Sequence, residues 1–95
     1  MLFDLGQLVM TRGVAIRQEE EPYFGRHVMA ALLRYMEGDW GEMDYGDKKM
    51  NDMAIGPNPE RIFAAYEHPH RPEWKIWMIT EADRSATTIL FPDEY

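Results

Sequence analysis

The chain contains no cysteine, which removes disulfide staples, thiolate nucleophiles and every cysteine-based zinc or iron–sulfur site. Its longest apolar run, Val28 to Leu33, falls far short of the roughly 18 to 20 residues that cross a bilayer. The N-terminal stretch has Asp4 inside it and no basic start, so no secretory leader is expected. Positive charge is scarce: ten Lys and Arg face seventeen Asp and Glu, for a formal net charge of −7. That balance disfavours direct binding to nucleic acid, which needs clustered cations, and disfavours anionic membrane surfaces. No phosphate-cradling loop is present, because Gly38, Gly41 and Gly46 sit among acids that repel a nucleotide. The expectations are a cytoplasmic location, no cofactor, no membrane and no direct nucleic-acid contact. An excess of carboxylates suits solubility, or attraction to a basic partner surface.

What the chain does contain is enough apolar material for one core. Its 95 residues, 45% hydrophobic with three Trp, five Tyr and four Phe, point to a single folded domain over 1–95, a monomer or small homo-oligomer, rather than to disorder. The last third carries the clearest pattern. Segments 61–68, 74–80 and 86–91 are rich in β-branched and aromatic residues, and the breaks between them, His68 to Pro72 and Glu81 to Ser85, are polar and turn-sized. They predict antiparallel strands joined as hairpins. In the middle one, Ile76, Met78 and Thr80 alternate with Trp77 and Ile79. Bulk on both faces predicts a central strand, with a Trp77–Ile79 patch left open if only one helical layer exists.

Upstream, Leu8 to Thr11 reads as a short strand that joins the sheet, and Val14 to Glu20 as a short helix frayed by the glutamates at its end. Pro22 opens the longest helix and Gly38 closes it. Phe24, Val28, Ala31, Leu32 and Tyr35 form one helical stripe that should lie on the sheet. Gly25, unfavourable inside a helix, is expected to mark close packing. Asp44 or Asp47 is positioned to cap a second short helix through Met53, ended by Gly56-Pro57-Asn58-Pro59. The fold expected is α+β: a three- to four-stranded, mainly antiparallel sheet with one long helix and one or two short helices packed on it.

Few residues carry a chemical signature. His68 and His70, beside Glu67, have metal-ligand types at a spacing that lets both point one way, but a site needs three or four ligands and the Pro-flanked loop supplies no obvious fourth. His27 flanks the apolar helix stripe. Asp83, Arg84 and Ser85 read as a turn in which Asp83 and Ser85 bond local backbone and Arg84 pairs with a nearby carboxylate; no nucleophile elbow or adjacent histidine accompanies Ser85. The eight methionines are numerous. Met29, Met36 and Met78 are expected to fill the core, and Met50 and Met53 to staple the second helix to the body.

One charge feature stands above background. Glu37, Asp39, Glu42, Asp44 and Asp47 follow one another without a basic residue, interleaved with Trp40, Met43 and Tyr45. Such a segment can serve as a decoy for phosphates, or be a solvated loop whose acids cap the next helix. Glu19 to Glu21 and the Asp93-Glu94-Tyr95 end are two further acidic lobes.

The block Asp4-Leu5-Gly6-Gln7-Leu8-Val9, the Gly38-Asp39-Trp40-Gly41 loop with Asp47-Lys48-Lys49-Met50-Asn51-Asp52, and the stretch from Lys75 to Ser85 with Phe91-Pro92-Asp93-Glu94-Tyr95 together resemble a family of small acidic proteins of bacterial plasmids, prophages and other mobile elements. The resemblance spans nearly the whole chain and brings no catalytic residue with it. It implies a setting in which small acidic proteins inhibit host defence, as anti-CRISPR and anti-restriction proteins do, some by mimicking DNA. The expected function is thus a non-enzymatic inhibitor that covers a basic nucleic-acid-binding surface of a defence nucleoprotein, with Glu37, Asp39, Trp40, Glu42, Asp44 and Asp47 in contact and Trp40 as anchor. A small metal-dependent enzyme or accessory factor using His68 and His70, or an oligomerisation module using the Trp77 and Ile79 face, are the alternatives.

Overall fold

A computed structural model describes residues 2–95. Along the chain run β1 (Gln7–Met10), α1 (Arg12–Glu20), α2 (Pro22–Met36), α3 (Tyr45–Ala54), β2 (Ile62–Tyr66), β3 (Ile76–Thr80) and β4 (Ala86–Leu90), with single 3₁₀ turns at Pro72–Trp74 and Pro92–Glu94. The strands form one sheet in the order β1-β4-β3-β2. β2, β3 and β4 pair antiparallel as expected, while β1 runs parallel to β4. The fold is α+β with a mixed sheet.

Proline at the first turn of α2 and Gly38 just past its end, at φ +82°, set the limits of that helix. All five stripe residues, Phe24, Val28, Ala31, Leu32 and Tyr35, are buried. They share one core with Val14, Trp74 and the inward side chains of the sheet, Ile62, Ala64, Tyr66, Ile76, Met78 and Ile89. Two threonines also lie fully buried on that face, Thr80 and Thr87. Their hydroxyls continue a chain from the Tyr35 hydroxyl: Tyr35 to Thr80 is 2.6 Å, Thr80 to Thr87 is 2.7 Å, and Thr87 donates to the Leu5 carbonyl at 2.7 Å. Each hydroxyl has one hydrogen, and the carbonyl can only accept. Tyr35 must therefore donate to Thr80, and Thr80 to Thr87, so each of these three buried hydroxyls is satisfied. Burial pushes the Tyr35 hydroxyl up to about 12, which keeps it a donor.

The two edges of the sheet are treated differently. On β2, the backbone groups that face away from β3 belong to Phe63 and Ala65. Asn51 of α3, itself buried, takes both groups of Phe63: its amide donates to the Phe63 carbonyl at 2.7 Å and its carbonyl oxygen accepts from the Phe63 N–H at 3.2 Å. The loop before α3 takes those of Ala65, whose carbonyl accepts from Glu42 N–H at 2.7 Å and whose N–H donates to the Trp40 carbonyl at 3.4 Å. Gly41 sits between them at φ +77°, so close that a Cβ would overlap the Ala65 carbonyl oxygen. This edge is closed to further strands.

Several local expectations are corrected. The acidic end of α1 is not frayed, because Glu21 lies between Arg17 at 3.2 Å and Arg71 at 2.9 Å, while Thr11 caps its start. Arg84, at φ +60°, pairs with no carboxylate among the described residues; it donates to the carbonyls of Ala54, Glu60, Glu81 and Ala82, tying the end of α3 to the β3–β4 turn. Asp83 does bond the Ser85 N–H as expected. β3 is central, and its second face is partly closed: Ile79 is buried and Trp77 half-buried, with Trp77 stacked edge-on between Phe63 and Tyr95. Met36 and Met78 pack in or against the core, but Met29 is exposed.

Gly25 is not a close-packing site. A Cβ built there would approach nothing nearer than Gln18 Cγ at 4.0 Å. Gly25→Ala should therefore stabilise the protein by about 0.5 to 1 kcal/mol through helix propensity alone, read as a higher denaturation midpoint. Asn51→Leu should do the opposite. It leaves the N–H and carbonyl of Phe63 without partners beside a buried side chain, so chemical denaturation should report a loss of about 2 to 4 kcal/mol, against about 1 kcal/mol or less for an exposed neighbour such as Met50→Leu.

Candidate functional site

The acidic segment from 37 to 47 is built from the end of α2, the loop that closes the β2 edge, and the start of α3. Its charges are unequal in what they already do. Arg34 grips Asp39 with two bonds, Nε to Oδ2 at 2.7 Å and a terminal nitrogen to Oδ1 at 3.2 Å, and Asp39 Oδ1 also accepts from the Gly41 N–H. These bonds hold the Asp39 carboxyl below the ordinary carboxylate range, the Arg34 hydrogen bond being the largest cause. Glu42 accepts the Glu67 N–H at 3.0 Å and lies 3.9 Å from Arg34. Asp44 is the N-cap of α3, accepting from the Asp47 N–H at 2.9 Å. Glu37 and Asp47 are exposed, and among the described residues neither takes part in an ion pair.

Trp40 is corrected most. It is buried, packed edge-on to Tyr35 and tilted against Phe3, and its indole N–H donates to Asp52 at 2.8 Å. It anchors the loop to its own core and has no surface to offer a partner. Tyr66 helps from below by donating to the Asp39 carbonyl at 2.7 Å. Burial pushes the Tyr66 hydroxyl well up, so it stays a donor.

The other two acidic lobes do not join this one. Glu21 and Glu37 flank the two ends of the fifteen-residue α2, so about 24 Å of helix rise separates them. Glu94 is tied at the surface to the start of α1, accepting from Thr11 Oγ1 at 2.6 Å, Phe91 N–H at 2.8 Å and Gly13 N–H at 3.2 Å. Burial raises its carboxyl, but these bonds outweigh it and the group sits below its ordinary value.

α3 carries the feature that residue type alone hides. It buries only Asn51 and Ala54, while Tyr45, Met50 and Met53 stand 79%, 69% and 69% exposed. The two methionines therefore do not staple the helix to the body. Tyr45, Lys49 and Met53 follow one another at spacings of four along one side, with Met50 beside them. Met50, Met53, Pro57 and Arg61 border an open groove of about 560 Å³.

The three histidines form a row of rings, His27 and His68 against Trp74 and His70 against His68. The rings of His27 and His68 are 5.3 Å apart, those of His68 and His70 6.1 Å, and Trp74 stacks edge-on to His68 at 5.0 Å. His27 Nε2 is 3.0 Å from the Trp74 carbonyl, so that nitrogen is the protonated one. His68 Nδ1 accepts the His70 N–H at 3.2 Å, which takes one of its two nitrogens away from a metal. Among the described residues no group of three His, Asp or Glu side chains is placed to hold a metal ion. The cluster joins the loop 67–74 to α2, and His27, which the linear sequence leaves apart from the other two, is the member that does so. Burial pushes His27 below its ordinary value of 6.5; the bond to Trp74 opposes this and His68 adds to it. A folded-state value below the unfolded one means that the unfolded chain binds the extra proton first, so stability falls as pH drops through the window below 6.5. The denaturation midpoint should decline from about pH 7 to about pH 5.5, and His27→Gln should flatten that slope.

In searches against protein-family models, curated proteins and solved structures, nothing matches this chain.

Proposed function

We propose that the chain is a non-enzymatic protein-binding module of the anti-CRISPR-like kind, an inhibitor that sits on a basic, nucleic-acid-binding surface of a host-defence nucleoprotein. The observation that carries this reading is α3. A helix that exposes Tyr45, Met50 and Met53 while tied down by Asn51 and by Arg84 at its end gains nothing in folding from those side chains. Exposed methionine and tyrosine next to a groove suit an adaptable contact. Asp44 caps that helix, Asp47 lies in its first turn, and the net charge of −7 favours encounter with a cationic partner.

The acids divide into two roles. Asp39 and Glu42 hold the loop on the β2 edge, and Asp44 caps α3, so their replacement perturbs folding as well as charge. Glu37 and Asp47 are free to meet arginine and lysine on the partner, with Tyr45, Met50 and Met53 supplying the apolar centre. Lys49 lies within the apolar stripe, so apolar contact sets the docking there and charge sets the approach.

The test is a reconstituted defence nucleoprotein, such as a CRISPR or restriction complex, assayed for capture and inhibition by the purified chain. Glu37→Lys with Asp47→Lys should slow association and weaken binding at least tenfold, and Met50→Ser with Met53→Ser should shorten residence, both with nearly unchanged melting temperature. Full inhibition retained by both folded variants would remove the reading.

A further inference from the structure

β1 forms the other edge of the sheet, and it is left open. Gln7 N–H donates to the Ser85 carbonyl and Thr11 N–H to that of Ile89, both at 3.0 Å. In a parallel ladder this makes the odd-numbered residues face β4, so Leu8 and Met10 turn their N–H and carbonyl groups outward. Among the described residues no hydrogen bond reaches them from that side. The usual protections are missing as well: β1 has no lysine, no proline and no charged side chain within Gln7–Met10, and Leu8, Val9 and Met10 are 41%, 38% and 37% exposed. The same molecule spends Asn51 and a whole loop on closing β2.

We infer that β1 is a self-association edge, pairing antiparallel with β1 of a second copy of this chain about a two-fold axis at Val9, so that the two sheets join into one of eight strands. A second copy fits this edge because β1 is uncharged and can match every open group against itself. Leu8 and Met10 flank Val9 symmetrically, so the dyad sets each Leu8 opposite a Met10. Both are outward-facing, and four hydrogen bonds satisfy all the open groups of the two strands. Val9 meets its own copy on one face, and Leu8 packs beside Met10 on the other. The pairing opposes no like charges, since Leu5 to Thr11 carries none and Arg12 comes opposite Gly6. The contact is short, so association belongs in the micromolar-to-millimolar range. With −7 on each chain, long-range repulsion weakens it at low salt, and screening should strengthen it. Because α3 lies at the opposite edge of the sheet, this pairing leaves the proposed docking helix uncovered.

Sedimentation or light scattering of the full chain from micromolar to millimolar concentration should show mass rising to twice the monomer value, more readily at higher salt. Amide exchange at Leu8 and Met10 should slow with concentration, while that at Phe63 and Ala65 stays constant. Val9→Lys, which puts like charges on the axis, should return the monomer at every concentration. Met10→Pro should do the same by removing an outward donor that the fold does not use. A wild type that remains monomeric throughout, or a dimer that survives whichever of the two variants folds, would overturn the inference.

Discussion

A four-stranded sheet has two edges, and how each is satisfied decides the rest of this molecule. The outward groups of β2 must find partners, and the chain supplies them from Asn51 and from the segment Trp40 to Glu42. That requirement fixes where the loop runs. It also forces glycine at 41, where backbone lies on backbone and φ is positive, and it draws Trp40 inward to pack on Tyr35. The acidic segment is thus an edge cover first. Its charges point where the cover leaves them.

This explains why a net charge of −7 does not translate into one broad anionic face. Carboxylates are the side chains best able to accept several backbone or guanidinium donors at once, and this fold uses them so. Asp39 accepts from Arg34 and Gly41, Glu42 from Glu67, Asp44 from Asp47, Glu21 from Arg71, and Glu94 from Thr11, Gly13 and Phe91. Each is a local device at a helix start, a strand edge or a loop crossing. The exposed remainder is spread along the chain, from Glu19 and Glu20 through Glu37 and Asp47 to Glu60, Glu67, Glu81 and Asp93. A DNA-like array of charge along the whole surface does not follow from the sequence total.

Periodicity made the large elements legible. The stripe from Phe24 to Tyr35, the Pro22 and Gly38 boundaries and the three C-terminal strands depend on short-range spacing, which the sequence displays directly, while the cap of α3 is narrowed to Asp44 or Asp47 and proves to be Asp44. The α+β class follows from their order. The parallel pairing of β1 with β4 did not show, because it joins residues nearly eighty apart and leaves no mark at period two. Asn51 was hidden because its partner is backbone, the same whatever residue stands at 63. Met50 and Met53 were misjudged by type, since an apolar side chain is expected inside, and so was Trp40, whose acidic neighbours suggested a surface loop. His27 sits more than forty residues from the loop it touches. Arg84 looked like an ion-pairing residue, whereas its five donors fit a nest of carbonyls better than one carboxylate.

The division of labour between the helices carries the argument further. α2 is held by its whole apolar stripe, so its position is a matter of burial and leaves little freedom. α3 is held by directed bonds at a few points: Asp44 at its start, Asn51 at its middle, and Arg84 on the Ala54 carbonyl at its end. Directed bonds fix orientation without consuming apolar surface. They allow a helix to be rigid while its large hydrophobic side chains remain outside, an arrangement that burial alone cannot give. A docking element has the same requirement, because ordering it in advance lowers the entropy lost on binding. The polar clasp that closes β2 therefore also keeps Tyr45, Met50 and Met53 outside, and the closed sheet edge and the exposed helix face are two consequences of one interaction.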